Sequence, residues 1–171
     1  AKSLAKDFPL MLDLLSDELI NPTFPQDQFE RAKGEMLSAL EQSKESTDDQ
    51  ASRAFYNSVF PAGHPYHRLT VDEAQKQLES ITRDDLTAFH KAYYRPDTAI
   101  IVIAGDVKAA DAVEAVKGWF GDWKADGPTP KVEIPDVKPQ TEPRQIVIPM
   151  MDKSQVDVLY GYAFGIKRSS P

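Results

Sequence analysis

The chain has 171 residues, enough for one ordinary domain or for a small domain plus part of another. A hydrophobic share of 41% with 27% charged residues marks a globular chain and excludes a disordered one. A net charge of −7 argues against nucleic acid or an anionic membrane as main partner, because both need clustered Lys and Arg. The absence of cysteine excludes disulfides, thiolate zinc sites and a cysteine nucleophile. No run approaches the roughly 20 apolar residues that span a bilayer. No basic stretch followed by an apolar core opens the sequence as a signal peptide would. The abrupt start beside a helix, and the end just after an expected strand, read as a stretch of a longer chain.

In chain order, Asp7 precedes Phe8-Pro9 as an N-cap before a proline tolerated in a first helical turn. Phe8, Met11, Leu12, Leu15 and Leu19 then repeat at helical spacing until Asn21-Pro22 stops the run. A second helix is expected from Gln26 into the low forties, with Phe29, Ala32, Met36, Ala39 and Leu40 on one face. Ser46-Thr47-Asp48-Asp49 offers a cap for a third helix carrying Ala51, Ala54, Phe55 and Val59. Residues 60–68 have the composition of an ordered loop. Thr70 with Glu73, and Thr82 with Asp85, have capping-box spacing and predict helices near 71–79 and 83–94.

Residues 99–104 form a short β-branched run that reads as a buried strand. Ala109 to about Trp123 returns to helix, with Ala112, Val113, Val116, Trp119 and Phe120 apolar. Between residues 127 and 143, Pro128, Pro130, Pro135, Pro139 and Pro143 lie among charged residues, the signature of an extended, semi-rigid linker. Beyond it, residues 145–150 read as a strand. Val156, Val158, Tyr160, Tyr162 and Phe164 alternate as a second, with Asp152-Lys153-Ser154 as the turn between them.

Chemistry is sparse in this pattern. His64 and His67 have an interval that can share a zinc ion, but no third ligand is marked nearby. Pro65 puts them on a loop, where bonding to backbone or water is the ordinary role. His90, beside Tyr93 and Tyr94, suits packing or capping. Glu30, Glu35, Glu41 and Glu45 lie on or near the second helix, where they read as a solvated face with Lys33 and Lys44 as partners. Arg95 suits the carbonyl end of its helix, with substrate binding as the competing role. No phosphate loop, G-x-S-x-G elbow or H-E-x-x-H pattern is present.

The ordered series of segments resembles the insulinase/pitrilysin-type zinc metallopeptidases, which include the mitochondrial processing peptidases. It comprises Leu19-Ile20-Asn21-Pro22-Thr23-Phe24-Pro25, Phe29-Glu30-Arg31, and Phe60-Pro61-Ala62-Gly63-His64-Pro65-Tyr66. Ile81-Thr82-Arg83-Asp84-Asp85-Leu86, Tyr93-Tyr94-Arg95-Pro96-Asp97 and Ala104-Gly105-Asp106-Val107 complete it. The resemblance implies an α+β fold, an antiparallel sheet carrying a layer of helices. It assigns residues 1–125 to the C-terminal part of one subdomain, 126–143 to a Pro-rich linker and 144–171 to the first strands of the next.

The resemblance further implies two halves closing around a peptide or unfolded polypeptide. In the active half, an inverted H-x-x-E-H motif on a preceding helix supplies two zinc-binding histidines and the glutamate that activates water. A third ligand, a glutamate, comes from the helix corresponding to 26–45. Aligning Phe29-Glu30-Arg31 and Phe60-Pro61 without a gap puts that ligand on Ala39, whose methyl cannot bind zinc. Glu41 lies about 200° around the helix and Glu35 a full turn lower.

The expectation is therefore a non-catalytic half, with no catalytic or metal residue of its own and zinc held in the other half. Its partners would be peptide substrate and a homologous half or subunit, with neither nucleic acid nor membrane. Two alternatives share the fold: an assembly scaffold, and part of the active half whose H-x-x-E-H motif lies upstream. A bacterial two-half parent would sit in the periplasm or cytoplasm.

Overall fold

The computed structural model describes residues 1–163. Among these residues the chain forms six α-helices, α1 (Phe8–Ile20), α2 (Gln26–Ser43), α3 (Thr47–Val59), α4 (Val71–Ser80), α5 (Arg83–Tyr93) and α6 (Ala109–Phe120). They belong to two compact units. The first comprises Ala1–Phe29 and Thr82–Lys131; the second comprises Glu30–Ile81 and the chain from Val132 onward.

In the first unit, the stripe Phe8, Met11, Leu12, Leu15 and Leu19 is the inward face of α1, with Leu12 only 1% exposed. This helix packs against α6. The inward stripe of α6 is Ala112, Ala115, Val116 and Phe120, while Val113 and Trp119 point outward. Fully burying a leucine or phenylalanine contributes about 1.5–3 kcal/mol, so this seam is the main apolar support of the unit. Asp7 does not cap α1: it ends a 3-10 turn, and its side chain makes no capping bond. Helix α5 starts at a complete capping box, Thr82 accepting the Asp85 N–H while the Asp85 carboxylate accepts the Thr82 N–H.

Past α5, a single side chain closes a long loop. Arg95 is 4% exposed. Its Nε and Nη2 donate to the two carboxylate oxygens of Asp97, each at 3.0 Å. Nη1 and Nη2 also donate to the carbonyls of Asp126 and Gly127, each at 2.9 Å. Thr129 adds a hydroxyl bond to Asp97 at 2.7 Å. The Arg95 guanidinium and the Thr129 hydroxyl pull the Asp97 carboxyl down from its ordinary 3.8 to about 2. Arg95 is thus fully engaged within its own unit.

In the second unit, Ser46 caps α3 and a Thr70–Glu73 capping box starts α4, whose Val71 and Leu78 are buried. The inward side of α2 carries Lys33, Leu37 and Leu40, whereas Ala32, Met36 and Ala39 face outward. Lys33 is drawn in because its ammonium donates to the Glu79 and Ile81 carbonyls at 2.7 and 2.9 Å, closing the C-terminal end of α4. Side chains of α3 tie down the loop that follows. Asn57 donates to the Arg68 carbonyl and accepts its N–H, and Arg53 donates to the Leu69 carbonyl.

The α+β expectation is overturned: no strand and no sheet form among the described residues. Residues 99–104, 145–150 and 156–163 find no ladder partner, and Phe164 lies outside the described residues. A strand, unlike a helix, exists only when a second segment accepts and donates its backbone bonds. Without one, the apolar run is left in solvent, with Ile100 at 90% and Val102 at 84% exposure. Around residues 156–160 the period of two survives but with the opposite face inward. Val156, Val158 and Tyr160 are exposed while Asp157 and Leu159 are half-buried. The Thr47 hydroxyl, which donates to the Asp157 carboxylate, and the Lys153–Glu45 ion pair at 2.8 Å set that choice.

Two outcomes are expected. Leu12→Ala should cost about 2–5 kcal/mol in urea unfolding, whereas Leu10→Ala, at a 58% exposed position, should stay within about 0.5 kcal/mol. Equal losses would contradict the α1–α6 seam. Because the folded state lowers the Asp97 pKa, the unfolded chain binds more protons between about 4 and 2, and stability must fall with pH there. Asp97→Asn should be less stable than the parent at pH 6, and thermal midpoints of the two should converge as pH drops through about 2. A constant gap across that window would contradict the clamp.

Candidate functional site

The positions that could carry chemistry lie on α2 and on the loop after α3, both in the second unit. Ala39 is exposed on α2, between Glu35 and Glu41. Glu35 pairs with Arg31 at 3.8 Å on an exposed face. Glu41 lies 2.9 Å from the Lys44 ammonium and accepts from the Gln75 amide at 2.7 Å. Lys44 first, then Gln75, holds the Glu41 carboxyl below the usual carboxylate range. Lys44 is raised in turn by Glu41 and by Asp72, 3.2 Å away. These acids are paired on a solvated surface. Glu45 is held by Lys153.

The loop of residues 60–67 is organised by rings. Phe60 stacks on His64 at 4.6 Å between centroids and meets Tyr66 edge-on at 5.2 Å. Tyr56 stacks on Phe60 at 5.8 Å and carries the Arg68 guanidinium 4.4 Å above its ring. Gly63 adopts a φ of +83°, a conformation that favours glycine. Both expected loop histidines are bonded to backbone. His64 Nδ1 accepts the Tyr66 N–H at 3.1 Å, and His67 Nδ1 donates to the Phe60 carbonyl at 2.9 Å. In the first unit, His90 Nε2 donates to the Leu19 carbonyl at 2.8 Å at the end of α1, and the ring stacks on Tyr94.

Zinc, the metal implied by the resemblance, does not fit the side chains present. Among the described residues no three His, Asp or Glu side chains come together as a metal set. Ala39 brings no donor, and its two acidic neighbours already have cationic partners. In this unit a cleft of about 590 Å³ lies between α3 and the segments 144–150 and 153–160. Thr47, Gln50, Phe55, Arg144 and Gln155 are among its walls. Sequence reading did not anticipate the ring cluster around Phe60 or the inward Lys33. The aromatic density of residues 55–66 was the available signal for the former. A lysine within an otherwise apolar stripe was the signal for the latter.

The sequence pattern of the peptidase M16 inactive domain matches residues 80–169, more than half of the chain. A probable mitochondrial-processing peptidase subunit beta of Arabidopsis thaliana is 30% identical over 129 residues, which are 75% of this chain and 24% of that protein. An uncharacterized zinc protease of Bacillus subtilis, YmxG, is 26% identical over 140 residues, 80% of this chain and 32% of that protein. The chain thus spans about a quarter to a third of these relatives. A protease from Helicobacter pylori of known crystal structure superposes with a TM-score of 0.69 at 22% identity, over 78% of this chain and 33% of that one, so the two share a fold. The chain belongs to the peptidase M16 inactive-domain family, the insulinase-like zinc proteases and their non-catalytic counterparts.

Proposed function

We propose that this chain is a portion of the non-catalytic half of an insulinase-like zinc metallopeptidase. It forms part of a chamber wall and helps to hold an extended or unfolded peptide, while zinc-dependent hydrolysis takes place in a homologous half or subunit. The match to an inactive domain across residues 80–169 carries this reading. The alanine at position 39 and the paired state of Glu35 and Glu41 support it. The relation to a processing-peptidase beta subunit supports a partner half. No step of the hydrolysis is assigned to a residue of this chain, because the described residues offer no metal set.

The chain by itself should bind no stoichiometric zinc and cleave no peptide. Calorimetry that found submicromolar zinc affinity, lost in Glu35→Gln or Glu41→Gln, would overturn the assignment. In the full-length protein, a chelator should abolish peptidase activity and zinc should restore it. Adding an uncleaved peptide should slow hydrogen exchange in the stretch described here. Activity indifferent to chelation would remove the metallopeptidase reading, and unchanged exchange would remove the substrate-holding role.

A further inference from the structure

The sequence contains one Asp-Gly pair, Asp126-Gly127, and it lies where the Arg95 clamp closes. Such a pair has a chemistry of its own. A backbone nitrogen can attack the side-chain carboxyl of the aspartate before it, and glycine hinders that attack least because it has no Cβ. Both residues are exposed, so water reaches them. The Asp126 carboxylate meets only the Lys91 ammonium, at 3.4 Å, in an ion pair that solvent screens.

The reaction needs no reagent besides water. The Gly127 nitrogen bonds to Asp126 Cγ, and its proton leaves with the carboxyl hydroxyl as water. The five-membered imide then takes water back at either carbonyl. Breaking the Cγ–N bond restores aspartate. Breaking the bond from the Asp126 carbonyl carbon to that nitrogen leaves isoaspartate. The main chain then runs through Cβ and Cγ, and the former carbonyl becomes a free carboxylate. Nothing is oxidised or reduced, and the composition is unchanged.

The backbone decides whether the ring can close. Closure turns the Asp126–Gly127 peptide plane relative to the Asp126 side chain. Arg95 Nη1 holds that plane by the Asp126 carbonyl, and Nη2 holds the next by the Gly127 carbonyl, each at 2.9 Å. The guanidinium is itself buried and locked on Asp97. A bond to a cation also makes the Gly127 N–H more acidic, but acidity helps only once the ring geometry is reached. We propose that Asp126-Gly127 is an isoaspartate-forming modification site that the Arg95 clamp keeps latent and that reacts when the clamp opens. The product inserts a methylene between the two acceptors, so they no longer match the guanidinium fork. This inference rests on the clamp and is independent of the peptidase reading.

The intact protein, kept folded or in urea at neutral pH, is sampled over days and then denatured for digestion. Endoproteinase Asp-N cuts before aspartate but not before isoaspartate. Mass spectrometry of residues 122–135 in one piece, against released 126–135, gives the converted fraction. Conversion should be readily seen in urea and slower by about tenfold or more in the folded protein, where it waits on local opening. Arg95→Lys keeps the charge and loses the fork, so it should raise the folded rate by about threefold or more. If circular dichroism shows that this variant does not fold, Thr129→Val, which takes one bond from Asp97, should raise it by about twofold or more. Absence of isoaspartate in urea overturns the site. Equal rates in the folded and unfolded protein overturn the latch, as does a folded variant that reacts at the parent's rate.

Discussion

A guanidinium cannot leave water without replacement acceptors, and that requirement at Arg95 organises the first unit. The side chain carries five N–H donors and no acceptor, and at 4% exposure solvent does not serve them. Asp97 takes two in fork geometry, and the backbone carbonyls at 126 and 127 take two more from the far side of α6. The ends of the segment containing residues 98–125 are therefore pinned at one point. Closing so long a loop is unfavourable by itself, and the clamp offsets it with charge-assisted bonds in a nearly dry environment. With its ends fixed, α6 can lay its Ala112, Ala115, Val116 and Phe120 stripe on α1. Removing the exposed Asp97 would leave the buried guanidinium short of acceptors, and a Lys at position 95 could not serve the carboxylate and both carbonyls with one ammonium, so that exchange would not be conservative.

The helices were legible because their hydrogen bonds close within the segment that encodes them. Stripes such as Phe8, Met11, Leu12, Leu15 and Leu19, and caps such as Thr82 with Asp85, state both the element and its inward face. The reading of α2 failed in one instructive respect. Counting only apolar residues chose Phe29, Ala32, Met36, Ala39 and Leu40 as the inward face, and of these Phe29 and Leu40 are half-buried while Ala32, Met36 and Ala39 are exposed. The chain turned Lys33 and Leu37 inward beside Leu40. A lysine has a long apolar stem and a strong donor at its tip. Where carbonyls at a neighbouring helix end need a donor, it belongs to the inward face as much as leucine does.

Strands were not legible in the same way, since half of every ladder bond belongs to another segment. The sequence states that residues 156–162 are extended and alternate, and alternation is present over 156–160. It does not state which face turns inward when no sheet partner covers the apolar one. In its absence a few polar contacts decide. Asp157 accepts from Thr47 at the start of α3 and Lys153 pairs with Glu45, while Val156, Val158 and Tyr160, which no described segment covers, stay exposed. The same logic applies to residues 99–104, whose composition demands cover that no described segment supplies.

Of the candidate chemistry, spacing singled out a histidine pair but could not reveal how each ring is bonded. His64 and His67 sit at an interval that can share a metal. Yet each ring is committed by its backbone partner, and in opposite senses. Because His64 Nδ1 accepts an N–H, its neutral ring carries the proton on Nε2 and offers no free lone pair. Because His67 Nδ1 donates to a carbonyl, its Nε2 keeps a lone pair, the arrangement that suits a ligand. As folded, the pair therefore presents one metal donor where a two-histidine site needs two. Recruiting the other would break the bond that shapes the turn at Tyr66 and loosen the ring stack on Phe60. Position 39 leads to the same conclusion from α2, where a methyl group stands between two carboxylates already held by Arg31 and by Lys44 with Gln75. The loop and the helix each lack what the other would need to complete a site, and a single substitution at Ala39 would not create one.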